Sequence, residues 1–364
     1  MDIFIIFNTK HYLNKNQKPN TMKTKANFSI FIFCLLTISN IYGQNPITML
    51  QHNGEASAFY GQTSFAVAYD ASVDGDTLLL TAGGFTPPYA IAKGLTIIGS
   101  GFFPDSVSVK KRTTILDRIF ILAGADSLYL EGLFVNGDIV YGMSDSINSV
   151  KVKRCRLANA LFQSTSSSAA KNNCSYEECY FGGFLDFNNY GENLLIQHCI
   201  LKGNIKNINA NAVIDGNIIL SIYSSVFCYI STSIIRNNII LATTTSVDHG
   251  GNNVFYNNLF VKSSLGQSFS VNNYESNNYY GVVRDSIFVN QTGDTYSFSH
   301  DYHLKDTVSY LGTDGTQVGI YGGLLPFKDY GRPSNPQIIT KSVDSKTDSD
   351  GNLQINFKVE AQEY

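Results

Sequence analysis

The sequence predicts an all-β, single-domain parallel β-helix, a solenoid in which short coils stack on one another. A repeat of about twenty residues runs through the middle of the chain, and β-branched and aromatic residues alternate with polar ones within it. Asn is heavily used: the 364 residues include 35 Asn, of which 15 fall between residues 201 and 280. Charged residues make up only 15%, which excludes a coiled coil, and a hydrophobic share of 43% disfavours intrinsic disorder.

The first 43 residues have the layout of a secretory signal peptide. Residues 22–25 are basic, an apolar run covers residues 28–38, and a short polar stretch ends at Gly43. This layout predicts cleavage between Gly43 and Gln44, with Met22 as a candidate true start. An N-terminal membrane anchor is the alternative. The chain after cleavage would carry 21 basic and 28 acidic residues. We expect a soluble protein, secreted, periplasmic or at the cell surface, with no basic stripe for nucleic acid.

A short helix is expected in front of the solenoid. Residues 64–71 are apolar at helical spacing and lead into the strand-like run of residues 77–80. Such a helix can cover the open N-terminal end of a β-solenoid, whose free strand edges would otherwise invite pairing. We therefore expect an N-terminal capping helix, a β-helix domain over residues 44–335, and a C-terminal strand or appendage over residues 336–364.

The repeat is anchored at one position in each coil. Taking Gly132 as the first anchor, successive anchors are 18 to 24 residues apart. The anchors that follow it are Cys155, Cys179, Cys199, Asn217, Asn238, Asn258 and either Asn277 or Asn278. Because stacked strands lie about 4.8 Å apart, the same position in successive coils forms a column. Leucine-rich repeats share the period, but their Leu-x-x-Leu-x-Leu signature is missing.

This column predicts an internal structural ladder of Cys155, Cys179 and Cys199, continued by Asn217, Asn238 and Asn258. An Asn at an inward turn can bond the next Asn and nearby backbone groups, and it tolerates a left-handed backbone. A free Cys packs as a small buried hydrophobe. A metal site or reactive thiols are the alternative for these Cys. A disulfide between two of them stays open, although parallel side chains disfavour it.

Two flanking regions carry a family resemblance. Residues 71–85 and 94–101 resemble the first coils of pectin-lyase-like right-handed parallel β-helix proteins. Residues 301–304, Asp-Tyr-His-Leu, and the turn-rich residues 312–323 resemble the closing segment of secreted bacterial β-helix-repeat proteins, although the usual Ser-Pro pair before that turn is absent. The resemblance implies right-handed coils. It implies no single activity, since the superfamily includes pectate and alginate lyases, polygalacturonases and members without known chemistry.

Two outward columns hold the candidate catalytic residues. The first is Leu130, Lys153, Glu177, Gln197, Asp215, Arg236 and Tyr256. The second is Glu131, Arg154, Glu178, His198, Gly216, Asn237 and Asn257. A lyase needs a base, which Lys153, Arg154 or His198 could supply, while Glu177, Glu178 and Asp215 could gather calcium. A hydrolase needs two carboxylates, and Glu177 and Asp215, two coils apart, have a spacing compatible with an inverting pair.

Charge pairing between neighbouring strands is the simpler interpretation of these columns. Lys153 is expected to pair with Glu177, and Asp215 with Arg236. The Asp-Asp, Gly-His-Gly and Arg-Ile-Lys motifs of polygalacturonases are missing. Residues 248–251, Asp-His-Gly-Gly, resemble the second motif only faintly and are expected in a loop. No dense Asp cluster indicates the calcium site of a pectate lyase.

Two functional hypotheses follow. We favour an exported, non-catalytic β-helix that binds glycans or serves as an envelope or surface structural module, with Tyr256, Tyr279 and Tyr280 as candidate flat faces for sugar rings. The alternative is a polysaccharide lyase or glycoside hydrolase acting on uronate-containing glycans. No cofactor is expected, apart from calcium if the protein is a lyase. The oligomeric state stays open.

Overall fold

The chain forms a right-handed parallel β-helix of about nine coils, as the sequence predicts. The computed structural model describes residues 45–103, 112–142, 146–163, 170–221, 225–244, 247–265, 267–334 and 336–360. The expected signal peptide, residues 1–43, lies outside these ranges. No helix within them is long and apolar enough to cross a membrane.

Three sheets form the sides of the solenoid. Sheet 1 contains, in spatial order, Glu55–Tyr60, Ile47–His52, Thr77–Leu80, Thr96–Ile98, Tyr129–Glu131, Lys151–Lys153, Ser175–Glu177, Leu195–Gln197, Val213–Asp215, Ile234–Arg236, Val254–Tyr256 and Tyr274–Ser276. Sheet 2 contains Gly83–Phe85, Thr113–Ile115, Phe134–Val135, Arg156–Leu157, Tyr180–Phe181, Ile200–Leu201, Ile218–Ile219, Ile239–Ile240 and Leu259–Phe260. Sheet 3 contains Ile119–Ile121, Ile139–Tyr141, Ala160–Phe162, Leu185–Glu192, Ile205–Ala210, Phe227–Ile230, Val247–Gly251 and Gln267–Val271, with Ile147–Asn148 and Lys171–Asn172 beside them.

Each coil turns twice through a left-handed residue. Between sheets 1 and 2 this position is held by Gly132, Arg154, Glu178, His198, Gly216, Asn237, Asn257 and Asn277. Between sheets 3 and 1 it is held by Ser127, Ser149, Asn173, Asn193, Asn211, Thr232, Asn252 and Asn272. Asn tolerates this conformation better than most residues other than Gly, which accounts for much of the Asn content.

The residue after each left-handed turn points into the coil. Asn217 Nδ2 donates to Asn238 Oδ1 at 2.9 Å, and Asn238 Nδ2 donates to Asn258 Oδ1 at 2.9 Å. Asn258 continues to Asn278 at 3.0 Å, so Asn278 rather than Asn277 belongs to this column. Cys199 joins it through a backbone N–H that donates to Asn217 Oδ1 at 2.8 Å. The column therefore pairs buried backbone N–H groups along the stack.

The register of the first coil differs from the expectation. Lys151 and Lys153 pair with Tyr129 and Glu131, so Gly132 aligns with the turn residue Arg154. The inward partner of Cys155 is Leu133, which is fully buried. Taking Gly132 as the first anchor was wrong by one residue, because both the turn position and the inward position accept small residues. Leu130 therefore lies in the core rather than in the first outward column, and Glu131 takes that place beside Lys153.

A second inward ladder follows the other turn. Asn253 Nδ2 donates to Asn273 Oδ1 at 3.1 Å and to the Ile230 carbonyl at 2.7 Å. Ser233 precedes them in the column, and its backbone N–H donates to Asn253 Oδ1 at 3.0 Å. The later coils therefore contain two inward ladders of polar side chains, one after each left-handed turn.

The N-terminal end is capped by helix α1, Ser64–Ala71, which buries Phe65, Ala68 and Tyr69 against the first strands of sheet 1. Thr48 and Ser64 join through a buried hydroxyl contact of 3.0 Å. The capping helix expected from the sequence is confirmed.

After the last coil, the chain returns over the outside of the solenoid. The 3-10 helix Arg284–Ser286 precedes a hairpin of Phe288–Asn290 and Asp301–Leu304, and a second 3-10 helix covers Asp329–Gly331. This region buries the outer face of sheet 2 in a separate apolar cluster. The described chain ends in an antiparallel hairpin of Gln337–Val343 and Ile355–Glu360.

Candidate functional site

Residues 311–334 form a strap along the turns between sheets 1 and 2. The strap runs against the order of the coils. Its contacts begin where Asn257 Nδ2 donates to the Leu311 carbonyl at 2.9 Å, and they pass Asn237, whose Oδ1 accepts from the Thr313 N–H at 3.0 Å. They end where the Ser334 N–H donates to Glu131 Oε1 at 3.2 Å. The strap therefore covers the column that holds many of the candidate catalytic residues.

Arg154 lies at the centre of a buried charge cluster under this strap. Its Nε and one terminal nitrogen donate to Glu178 at 3.0 and 3.1 Å, and the other terminal nitrogen donates to Glu131 at 3.3 Å. That nitrogen also reaches the Arg332 carbonyl at 3.2 Å, and the Lys328 N–H donates to Glu178 at 3.0 Å. The cluster joins three coils of the solenoid to the strap.

Several candidate catalytic residues are buried rather than exposed. Glu131 is 0% exposed, and Arg154, Glu178, His198 and Asp215 are exposed by 3, 5, 5 and 7%. They point out of the coil as the alternation predicts, but the strap lies over them. The sequence pattern placed them on an outer face and could not show that another part of the chain covers that face.

Charged residues on the outer face of sheet 1 and at its turns form ion pairs between neighbouring coils. Lys151 Nζ lies 2.7 Å from Glu177, and Lys153 Nζ lies 3.4 Å from Glu178. The expected pair of Lys153 with Glu177 is replaced by these two, because a lysine stem reaches diagonal as well as direct neighbours. Asp215 is held by Arg236 at 2.8 Å. Glu177 and Asp215 are separated by the coil of Gln197.

A cleft of about 370 Å³ opens beside the strap at His198, Asp215 and Arg236. The His198 ring lies against Gly216, where an added Cβ would come within 2.5 Å of Cδ2. Burial lowers the pKa of His198, although Asp215 and Glu178 act in the opposite direction. Neutral imidazole is therefore favoured near neutral pH. On the strap side, Asp314 bonds the Thr316 hydroxyl at 2.7 Å, and this bond helps to lower its pKa.

A second cleft, of about 300 Å³, is lined mainly by aromatic rings that the sequence columns do not include. The Phe298 ring meets Phe103 edge-on with centroids 4.5 Å apart. The His303 ring stacks on Tyr321 at 3.8 Å, and its Nδ1 lies 2.7 Å from Asp301. Alternation in the repeats could not reveal this cleft, because most of its rings come from the returning segment.

The aromatic residues proposed from the sequence have other contacts. Tyr256 accepts from Arg236 at 3.4 Å, and the Tyr279 hydroxyl donates to the Leu311 carbonyl at 3.0 Å. Tyr280 stacks on Phe260 with ring centroids 5.1 Å apart. Residues 248–251 lie in strand Val247–Gly251 of sheet 3 rather than in a loop.

The cysteines among the described residues, Cys155, Cys174, Cys179, Cys199 and Cys228, are free thiols. Burial raises the pKa of Cys155 and Cys199 well above the usual range. Such thiols stay protonated, which disfavours nucleophilic or metal chemistry. Across the described ranges, no group of three or more His, Cys, Asp and Glu side chains is placed to hold a metal ion.

Comparison with known proteins finds no family model, no curated protein and no solved structure that matches this chain at a significant level.

Proposed function

We propose that this chain is an exported, non-catalytic β-helix of the pectin-lyase-like secreted bacterial type, and that it binds glycans as an envelope or surface module. Export is supported by the signal-peptide layout of residues 1–43. The single observation that carries the non-catalytic assignment is that Glu131, Arg154 and Glu178 are buried in one ion-paired cluster beneath the strap.

A general acid or base must come within about 3 Å of the proton that it transfers. Glu178 accepts hydrogen bonds from Arg154 and from the Lys328 backbone, and Glu131 accepts from Arg154 and Ser334. The carboxylates of Glu131 and Glu178 are therefore hydrogen-bonded both to a residue of the coils, Arg154, and to residues of the strap. A glycan would have to displace the strap and break the cluster to reach them.

The aromatic cleft supports glycan binding. Pockets that bind small ligands combine apolar or aromatic walls with a few polar groups. Here Phe298 and Tyr321 supply rings, and Asp301 and His303 supply polar atoms to the lining. A sugar ring offers the matching surfaces, C–H groups on its faces and hydroxyls around its edge.

Binding and export are tested on the protein that begins at Gln44. N-terminal sequencing of the exported chain should find Gln44 or a residue close to it. On a panel of neutral and acidic glycans we expect binding without cleavage, and we expect Phe298→Ala to weaken it. Tyr60→Ala removes a ring that is 69% exposed and lies outside the cleft, and it should not change binding. Absence of binding to every glycan would refute the proposal.

A polysaccharide lyase or hydrolase is the second candidate. The observation that favours it is the position of His198, with its lowered pKa, in the same cleft as Asp215 and Arg236. A neutral imidazole can act as a base, and a guanidinium can neutralise a carboxylate. The assay is incubation with uronate polysaccharides with and without calcium. Absorbance from unsaturated products for a lyase, or new reducing ends without that absorbance for a hydrolase, would replace the non-catalytic proposal if either signal is lost in His198→Asn.

A further inference from the structure

Two arginines lie over one phenylalanine on the outer side of sheet 2. The guanidinium carbons of Arg112 and Arg156 lie 3.8 and 4.1 Å from the centre of the Phe134 ring. Arg156 also lies 5.5 Å from the Tyr180 ring, which stacks on Tyr296 at 4.0 Å. The rings of Phe134 and Tyr180, on the two neighbouring strands, hold the guanidinium of Arg156 in place. A guanidinium stacked on a ring can still donate hydrogen bonds from the N–H groups at its edge.

The positive charge of Arg156 has no counter-charge within the described ranges. Its Nε is buried and has no hydrogen-bond partner. Burial lowers the pKa of Arg156, and repulsion from the nearby Arg112 adds to this effect, although Tyr180 acts in the opposite direction. Arg236, by contrast, is held by Asp215 at 2.8 Å. Within the described ranges the terminal nitrogens of Arg156 likewise have no hydrogen-bond or ion-pair partner, so they are the donors that an external anion can meet.

A cleft of about 320 Å³ opens at Arg156. Its walls include Asn136 and Asn159 together with the backbone of Gly137, Gly182 and Gly183. No carboxylate is among its lining residues in the described part of the chain. The side-chain amide of Asn136 is exposed and can donate beside the guanidinium. Small residues at 182 and 183 keep the approach to Arg156 open.

We propose that this cleft binds an anionic substituent of a glycan, a carboxylate or a sulfate, through the fork of Arg156. The inference rests on the proposed glycan-binding function and adds the charge of the ligand and the place where that charge is held. A planar guanidinium donates two parallel hydrogen bonds to an oxyanion, and such charge-assisted pairs are stronger than neutral ones.

The test is calorimetric titration of the chain from Gln44 with three probes at low and high salt. The probes are hyaluronan oligosaccharides for carboxylate, chondroitin sulfate oligosaccharides for sulfate, and malto-oligosaccharides as the neutral series. We expect binding of at least one anionic series that weakens as salt rises. Arg156→Gln should reduce that affinity by roughly tenfold to hundredfold, the range for a lost charge-assisted bond.

Two further variants separate the site from general effects. Arg118→Gln makes the same charge change at an arginine whose side chain is 53% exposed and lies outside the cleft, and it should leave the affinity unchanged. Gly182→Leu narrows the cleft but keeps Arg156, because a Cβ at Gly182 has no neighbour closer than 3.7 Å. It should weaken anionic binding as well.

The outcomes distinguish this site from the wider function. Anionic binding that is equal in wild type, Arg156→Gln and Gly182→Leu would overturn the site and leave glycan binding intact. Binding of the neutral series alone would do the same. No binding of any probe would overturn both this site and the proposed function.

Discussion

Replacing Arg154 with Met should destabilise the protein far more than replacing Lys151, a half-buried lysine at the surface. Arg154 is 3% exposed, and its loss leaves the carboxylates of Glu131 and Glu178 buried without their cation. Removing one partner of a buried pair costs about 3–5 kcal/mol. With an unfolding entropy of about 2 cal/mol/K per residue, this lowers the Tm by about 5–8 °C if the solenoid unfolds cooperatively. Lys151→Met breaks a half-buried pair with Glu177 at the surface and should cost about 1 kcal/mol.

The two variants are compared by thermal unfolding and by limited trypsin digestion. The cluster holds the strap through the Arg332 carbonyl and the Lys328 N–H, so the Arg154 variant should be cleaved faster after Lys328, whereas Arg332 precedes Pro333 and is resistant to trypsin. Lys151→Met should keep the wild-type rate. If Arg154→Met melts within about 1 °C of Lys151→Met and its strap is equally protected, the cluster gives no net stability and our reasoning about it is wrong.

Three further predictions concern single side chains. Asn238→Leu leaves the Asn217 N–H and the Ile214 carbonyl unpaired, so unfolding should be easier by about 1–3 kcal/mol for each group; an unchanged denaturation midpoint would contradict the ladder. The lowered pKa of His198 means that the unfolded chain binds the proton more readily, so stability is lost as pH falls through about 6.5. His198→Asn should flatten the pH dependence of the Tm in that window, and an identical profile would refute this role. Glu177→Gln should change the unfolding free energy by only about 0–1 kcal/mol and leave glycan binding intact; a variant that binds a glycan but no longer cuts it would favour the enzyme hypothesis.

The β-helix could be predicted because, in a stack of coils, residues that recur at a constant spacing in the sequence lie directly above one another in the structure. Asn217, Asn238 and Asn258 occur at nearly constant spacing, and only a stacked coil gives that spacing a structural meaning. The second ladder, at Asn253 and Asn273, follows the same logic and was missed, because only one anchor per coil was sought. The Asn pairs at 252–253 and 257–258 are the signal that two turns in one coil need such residues.

The candidate site was less predictable, because its environment comes from distant parts of the chain. Alternation places Arg154, Glu178 and His198 outside the coil but carries no information about residues 311–334. One local signal does exist. These three residues occupy left-handed turn positions where Asn or Gly would cost less, so their side chains indicate a specific partner. The aromatic cleft lacks any periodic signal, whereas Arg156 does occupy a repeat position, in a column whose neighbours Phe134 and Tyr180 are aromatic.

The strap also constrains how this protein can change over evolution. Solenoids commonly gain or lose coils by duplication or deletion, because each coil contacts only its neighbours. Here, contacts of the strap span 54 residues at Asn257 and 203 at Glu131. One extra coil would lengthen the stack by about 4.8 Å and move the anchoring points of the strap out of alignment. The length of the strap therefore fixes the number of coils that it can span. We expect proteins that descend from this one and keep the strap to have the same number of coils between Glu131 and Asn257.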